Sequence, residues 1–212
     1  MATASGAKAA ACANPTPNTR TSTGMSTTTR IEPMPVAGIV LAGGLSSRMG
    51  QDKALLRWRG RSLLEHSCAL LGALGANPVK VSGDYPGFDS VPDSVPRCGP
   101  LGGLHSVVAT LDDGPAWVVP IDMPLLDVTL LRQLRDAGAS CVTYSGEPVP
   151  MYLNIDGTCR TLLYEMVTGT DGPRSLRMFQ RRLGGLELPL PAGAEARLVN
   201  CNTPHQWEEV AS

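Results

Sequence analysis

Leu41-Ala42-Gly43-Gly44-Leu45-Ser46-Ser47-Arg48-Met49-Gly50-Gln51-Asp52-Lys53 follows directly on the apolar run Val36 to Val40. The pattern predicts a strand, Val36 to Leu41, running into a loop with three glycines, two serine hydroxyls and two cations. Glycines let backbone N–H groups approach phosphate oxygens, and Arg48 and Lys53 supply counter-charge. A polyphosphate is therefore the expected occupant. An ordinary Gly-rich turn is the plain alternative, but it needs neither two cations nor so long a loop. The spelling fits neither common nucleotide motif. Gly50 is followed by Gln51-Asp52-Lys53 where a P-loop requires Gly-Lys-Ser/Thr, and no G-x-G-x-x-G occurs.

Working outward, strand-like and helix-like segments alternate. Ser62-Leu63-Leu64-Glu65 spells a capping box, predicting a helix to about Leu74 that Gly75 ends. Pro78 to Ser82 reads as a strand, and Gly103 to Asp112 as a helix opened by Gly99-Pro100-Leu101. Ala116 to Ile121 is almost wholly apolar, as in a central parallel strand. Asp127 or Thr129 caps a helix through Asp136, with Gly138 beyond it. Cys141 to Tyr144 and Met151 to Asn154 read as strands, the second outside the strict alternation. Pro173 is expected in the first turn of a helix to Arg182. Short strands at Leu186 to Leu190 and Arg197 to Val199, then a helix from Pro204, complete the pass. Such alternation implies an α/β fold with a doubly wound, mostly parallel sheet and helices on both faces. Ligands bind these sheets at the carboxyl ends of the strands.

Residues 1–35 differ in kind. They are rich in Ala, Thr, Ser and Pro and lack an apolar period, so a disordered tail is expected, with residues 36–212 as a single domain. A targeting segment, or a true start at Met25 or Met34, are the alternatives. The chain has 212 residues and a net charge of −1, so no broad basic surface points to nucleic acid or an acidic membrane. Aromatics make up only 4% of it, which argues against a base-stacking platform. Six scattered cysteines form no C-x-x-C pair and read as reduced, mostly buried thiols of a cytoplasmic protein.

Asp122 in Asp122-Met123-Pro124 stands at the end of an apolar strand. A carboxylate there is placed to hold a hard cation, and magnesium favours one or two carboxylates plus phosphate oxygens. A helix cap or a loop aspartate is the bland alternative. Loop, cation and carboxylate together form the minimum set for phosphoryl chemistry. His66 falls in a helix and His105 near the Gly99 turn, and both read as structural.

The motifs Leu41-Ala42-Gly43-Gly44…Arg48-Met49-Gly50…Asp52-Lys53, Gly99-Pro100-Leu101-Gly102-Gly103-Leu104, Asp122-Met123-Pro124 and Val199-Asn200-Cys201-Asn202-Thr203-Pro204 resemble the molybdenum cofactor guanylyltransferases. The resemblance spans residues 36–210. It implies the Rossmann-like nucleotidyltransferase fold and transfer of GMP from GTP to molybdenum-molybdopterin with Mg²⁺. It also implies transient contact with molybdenum cofactor synthesis proteins and acceptor molybdoenzymes. By position it places Leu41, Ala42, Gly43 and Gly44 at the nucleotide, with Arg48 beside the phosphates and Lys53 on the leaving pyrophosphate. Asp122 would hold Mg²⁺. Asp93, Gly99 and Leu101 would line the nucleotide site, and so would Ser82, where the family often has Asn. Asn200 and Asn202 would meet the pterin. Arg174 is the candidate for its phosphate, while Arg181 and Arg182 read as a solvated face. Three alternatives remain: a sister cytidylyltransferase using CTP, a sugar-1-phosphate nucleotidyltransferase, and a non-catalytic nucleotide-binding adaptor for maturation.

Overall fold

The computed structural model describes residues 35–42, 52–169, 172–201 and 206. Residues 1–34 of the tail, Gly43, Gly44, Arg48, Asn202 and the helix expected from Pro204 fall on residues outside this set, apart from Gln206, which is helical.

Strand β1 (Ala37–Leu41) is followed by a 3-10 turn (Lys53–Leu55) and a small hairpin of β2 (Arg57–Trp58) and β3 (Arg61–Ser62). Helix α1 (Leu63–Ala73) starts at the capping box read from the sequence, with Ser62 Oγ accepting from the Glu65 N–H at 3.1 Å. Then come β4 (Val79–Ser82), β5 (Ser90–Val91), α2 (Gly99–Val108) and β6 (Gly114–Pro120). The chain ends in α3 (Val128–Asp136), β7 (Cys141–Tyr144), β8 (Met151–Ile155), α4 (Gly157–Thr168), α5 (Leu176–Arg182), β9 (Leu186–Leu188) and a second 3-10 turn (Glu195–Leu198).

The seven-stranded sheet has the order β5-β4-β1-β6-β8-β7-β9. Strands β5, β4, β1 and β6 run parallel, and β8 is antiparallel to both neighbours. This is the mostly parallel α/β fold expected from the alternation. β1 lies between β4, reached through α1, and β6, reached later through α2. The chain thus changes direction at β1, and the crevice of such a sheet opens at the carboxyl ends there.

Pleating explains the two cores. Ile39 and Leu41 pack on the face covered by α2, α4 and α5, with Ala116, Val118 and Phe179. Val40 packs on the opposite face with Trp117, Val119 and residues of α1 and α3. Each fully buried Ile, Val or Leu is stabilised by about 1.5–3 kcal/mol. Two aromatic polar tips fix α3 to its face. Trp117 Nε1 donates to the Leu131 carbonyl at 3.1 Å, and the Tyr144 hydroxyl to the Leu130 carbonyl at 3.0 Å.

Several elements differ from the sequence expectation. Helix α2 begins at Gly99 rather than Gly103, because Pro100 in the first turn has no N–H to lose. It ends before Asp112, where Arg160 of α4 takes the carbonyls of Val108 and Leu111. Helix α4 was not among the elements expected. Asp156 caps it by accepting from the Cys159 N–H at 2.8 Å, and Cys159, Leu162, Leu163, Met166 and Val167 form its buried face. Gly157 and three threonines weaken its local propensity. Pro173 precedes α5 instead of entering it, since Ser175 is the cap. In place of a strand at Arg197 to Val199, the 3-10 turn buries Leu198.

Asp127 caps α3 through Oδ1, accepting from the N–H groups of Thr129 and Leu130 at 3.0 and 3.1 Å. Its Oδ2 pairs with Arg197 at 2.9 Å, but both side chains are more than a third exposed, so that pair is worth under about 1 kcal/mol. Asp127→Ala is therefore expected to lower unfolding free energy by about 1 kcal/mol and Asp127→Asn by less than half of that, read from denaturant midpoints at constant m-value.

Candidate active site

Register brings the carboxyl edge together. Leu41 pairs with Ser82 on one side and Pro120 on the other, and the Ile121 N–H donates to the Leu41 carbonyl at 3.2 Å. Ala42 and Asp122 therefore leave adjacent strands at the switch point.

Lys53 and Asp122, far apart in sequence, meet there with Nζ and Oδ2 at 3.8 Å and side-chain exposures of 17% and 22%. The 3-10 turn places Lys53. Asp52 opens that turn, its Oδ1 accepting from the Ala54 N–H at 3.0 Å. Burial raises the Asp122 pKa, and the Lys53 charge opposes the shift without cancelling it. His66 lies on α1 and is half-buried. Burial lowers the His66 pKa.

Ser82 is 1% exposed, and its Oγ accepts from the Ala42 N–H at 3.1 Å. It fixes the end of β1, and its side chain supports Ala42. The close approach of α2 explains the glycine at 103. A Cβ there would lie 2.9 Å from Ser82 Oγ and 3.5 Å from Asp93 Oδ1. Asp93 is exposed as a residue, yet its carboxylate rests near Gly103, and partial desolvation raises its pKa. Leu101 is 0% exposed within the first core, so its side chain fills space beneath the turn that opens α2. Gly99 is exposed and opens α2, whose first turn has no side-chain cap.

The carboxy-terminal segment reaches the same place. The Cys201 N–H donates to the Asp122 carbonyl at 2.8 Å, which sets half-buried Asn200 beside the Asp122 turn. Burial, then the Asp122 charge, raises the Cys201 thiol pKa. Arg174 is exposed and lies outside α5. Its guanidinium donates to the Gly169 carbonyl and, at 3.6 Å, to Cys98 Sγ at the start of α2. It thus belongs with Gly99 and not with the Arg181–Arg182 face, where Arg182 pairs with Glu165 at 3.0 Å.

Two site residues carry no mark in the sequence. Tyr85 lies in a Gly- and Pro-rich turn, and its hydroxyl reaches the Ala42 carbonyl at 3.1 Å. Cys201 sits inside a motif read for its asparagines. Among the described residues no cluster of three or more His, Cys, Asp or Glu could cage a metal alone. One partly buried carboxylate whose charge is poorly solvated suits a cation shared with substrate phosphates.

Residues 38–185 match the MobA-like NTP transferase domain. The chain is 46% identical over 178 residues to a molybdenum cofactor guanylyltransferase of Xanthomonas euvesicatoria pv. vesicatoria, covering 83% of this chain and 94% of that one. It is 32% identical to a protein of the same name from Pseudomonas fluorescens, covering 81% and 92%. Molybdopterin-guanine dinucleotide biosynthesis protein A from Archaeoglobus fulgidus superposes with a TM-score of 0.67 at 18% identity, covering 83% of this chain and 97% of that one, and shares the fold. The chain belongs to the MobA-like NTP transferase family, with the molybdenum cofactor guanylyltransferases, and is a nucleotidyltransferase.

The raised pKa of Asp122 has a sign that a pH series reads. The fold favours the protonated carboxyl. That contribution is complete below the unfolded aspartate value of about 3.9 and is lost as pH rises through the higher folded value. Asp122→Asn, which keeps the shape without the charge, is expected to melt above the parent at neutral pH in metal-free buffer. Its advantage should vanish below about pH 4. Equal melting temperatures throughout would show that burial does not govern this carboxylate.

Proposed function

We propose that the chain transfers GMP from GTP to the terminal phosphate of molybdenum-molybdopterin, releasing pyrophosphate and the guanine dinucleotide form of the cofactor. The observation that carries the reading is the Lys53–Asp122 pair at the mouth of the crevice between β1 and β6, 3.8 Å apart. The names of the curated relatives support guanine and this acceptor.

The pterin's phosphate is already an anion, so no group need deprotonate the nucleophile. Its oxygen forms a bond to the α-phosphorus of GTP while the bridge from the α- to the β-phosphate breaks, and pyrophosphate departs in line. Catalysis then rests on alignment and charge neutralisation. The backbone of Leu41 and Ala42, continued in sequence by Gly43 and Gly44, receives the nucleotide with Gly99 and Asp93. Lys53 neutralises the departing pyrophosphate, with Arg48 assigned beside it. Asp122 would hold Mg²⁺, which when bound supplies charge neutralisation on the phosphates. Asn200, Asn202 and Arg174 serve the pterin side. Among the described residues all five cysteines are free, four of them buried, which suits work in the reducing cytoplasm.

Pyrophosphate release is measured with GTP, CTP and ATP in turn, with Mg²⁺ and metal-loaded molybdopterin. GTP is expected to support turnover at least about tenfold better than CTP, a difference of about 1.4 kcal/mol in transition-state binding. A preference for CTP would move the assignment to the sister cytidylyltransferases. Asp122→Ala should abolish Mg²⁺-dependent turnover without unfolding the chain.

The Lys53 role has its own check. Lys53→Ala should weaken binding of GTP by about tenfold or more and of GMP by much less, in calorimetric titrations with Mg²⁺. Equal losses for both nucleotides would remove the pyrophosphate assignment.

A further inference from the structure

We propose that Tyr85 is a positioning residue of the nucleotide site, its hydroxyl tying together Ala42 and Asp52, the two residues that flank positions 43–51 in sequence. The proposal rests on the reading that Lys53 meets the triphosphate.

The single phenol O–H is shared between two acceptors, the Ala42 carbonyl at 3.1 Å and Asp52 Oδ1 at 3.4 Å. Ala42 stands just past the last residue of β1. Its N–H goes to Ser82 Oγ and its carbonyl to Tyr85, so both of its backbone polar groups are satisfied by side chains. On the other side, Asp52 Oδ1 also caps the 3-10 turn that begins with Lys53. A continuous path therefore runs from Tyr85 through Asp52 to Lys53 and on to Asp122.

Tyr85 is itself held firmly. Its N–H donates to Ser90 Oγ at 3.2 Å, and its carbonyl accepts from the Ser90 hydroxyl at 3.2 Å and the Phe88 N–H at 3.1 Å. The ring lies over Gly83, where a Cβ would come within 2.6 Å of Tyr85 Cε2 and where φ is +115°. Only glycine accepts both the conformation and the contact. Burial, with the Asp52 charge behind it, pushes the phenol pKa up to about 12, so the group stays a donor at working pH.

The test is a double-mutant cycle on the full chain, with GTP and Mg²⁺ as the calorimetric probe. Tyr85→Phe keeps the ring on Gly83 and removes only the hydroxyl. It should keep the melting temperature within a few degrees and weaken GTP binding about tenfold. In a Lys53→Ala background the same change should cost less than about twofold, because the hydroxyl then has no lysine to place. A merely structural tyrosine would lose the same factor in both backgrounds. That result, or no loss in the parent, overturns the Tyr85 role while leaving Lys53 in place. Unchanged GTP affinity on Lys53→Ala alone overturns the site reading and the Tyr85 role with it.

Discussion

Strand β1 is hydrogen-bonded along both edges, to β4 and β6, and buried on both faces. It has no freedom to slide. A shift of one residue would turn Ile39 and Leu41 onto the face that now holds Val40, and every core contact of the strand would change. The register fixed by that burial sets Leu41 level with Ser82 and Pro120. All else at the carboxyl edge follows from it. Ala42 emerges beside Asp122 because the strands that carry them cannot move past one another.

Support for the edge comes from both layers. On one face α2 approaches so closely that a Cβ at position 103 would meet Ser82 and lie near the Asp93 carboxylate. On the other, Trp117 and Tyr144 take carbonyls of α3, the helix that follows the Asp122 turn. Functional groups placed by rigid elements in this way keep their alignment without the substrate having to order them.

The longer strands were legible because each is a short apolar run bounded by glycine, proline or a polar residue, whereas the two-residue strands β2, β3 and β5 carry no such run and were not expected. Cys141 to Tyr144 matched to the residue. The motifs marked Lys53 and Asp122 correctly as groups at the edge of the sheet. What was not legible depended on contacts between distant segments. Nothing in Gly83-Asp84-Tyr85-Pro86-Gly87 shows that its tyrosine will reach back to Ala42. Ser82 was placed at the nucleotide by the resemblance, which often has Asn there, and its burial beneath Ala42 and Gly103 depends on contacts between distant segments. Helix α4 did carry its signal, a cap at Asp156 and buried positions at 159, 162, 163 and 166. Gly157 and the threonines obscured it, and packing against α2 and α5 overrides their weak propensity.

The edge is built at some expense in stability. A carboxylate withdrawn from water resists ionisation, and Lys53 only partly offsets that. At 3.8 Å the two groups are further apart than the 2.7–2.9 Å or so of a charge-assisted hydrogen bond. A tighter pair would stabilise the fold more, but each charge would then be committed to the other. Held apart in a site of low polarity, both keep a strong field for a third party. A triphosphate with its divalent cation brings the opposite sign to each, negative oxygens for Lys53 and a positive ion for Asp122. On the proposed function, the same burial that weakens the resting chain would strengthen its hold on such a substrate.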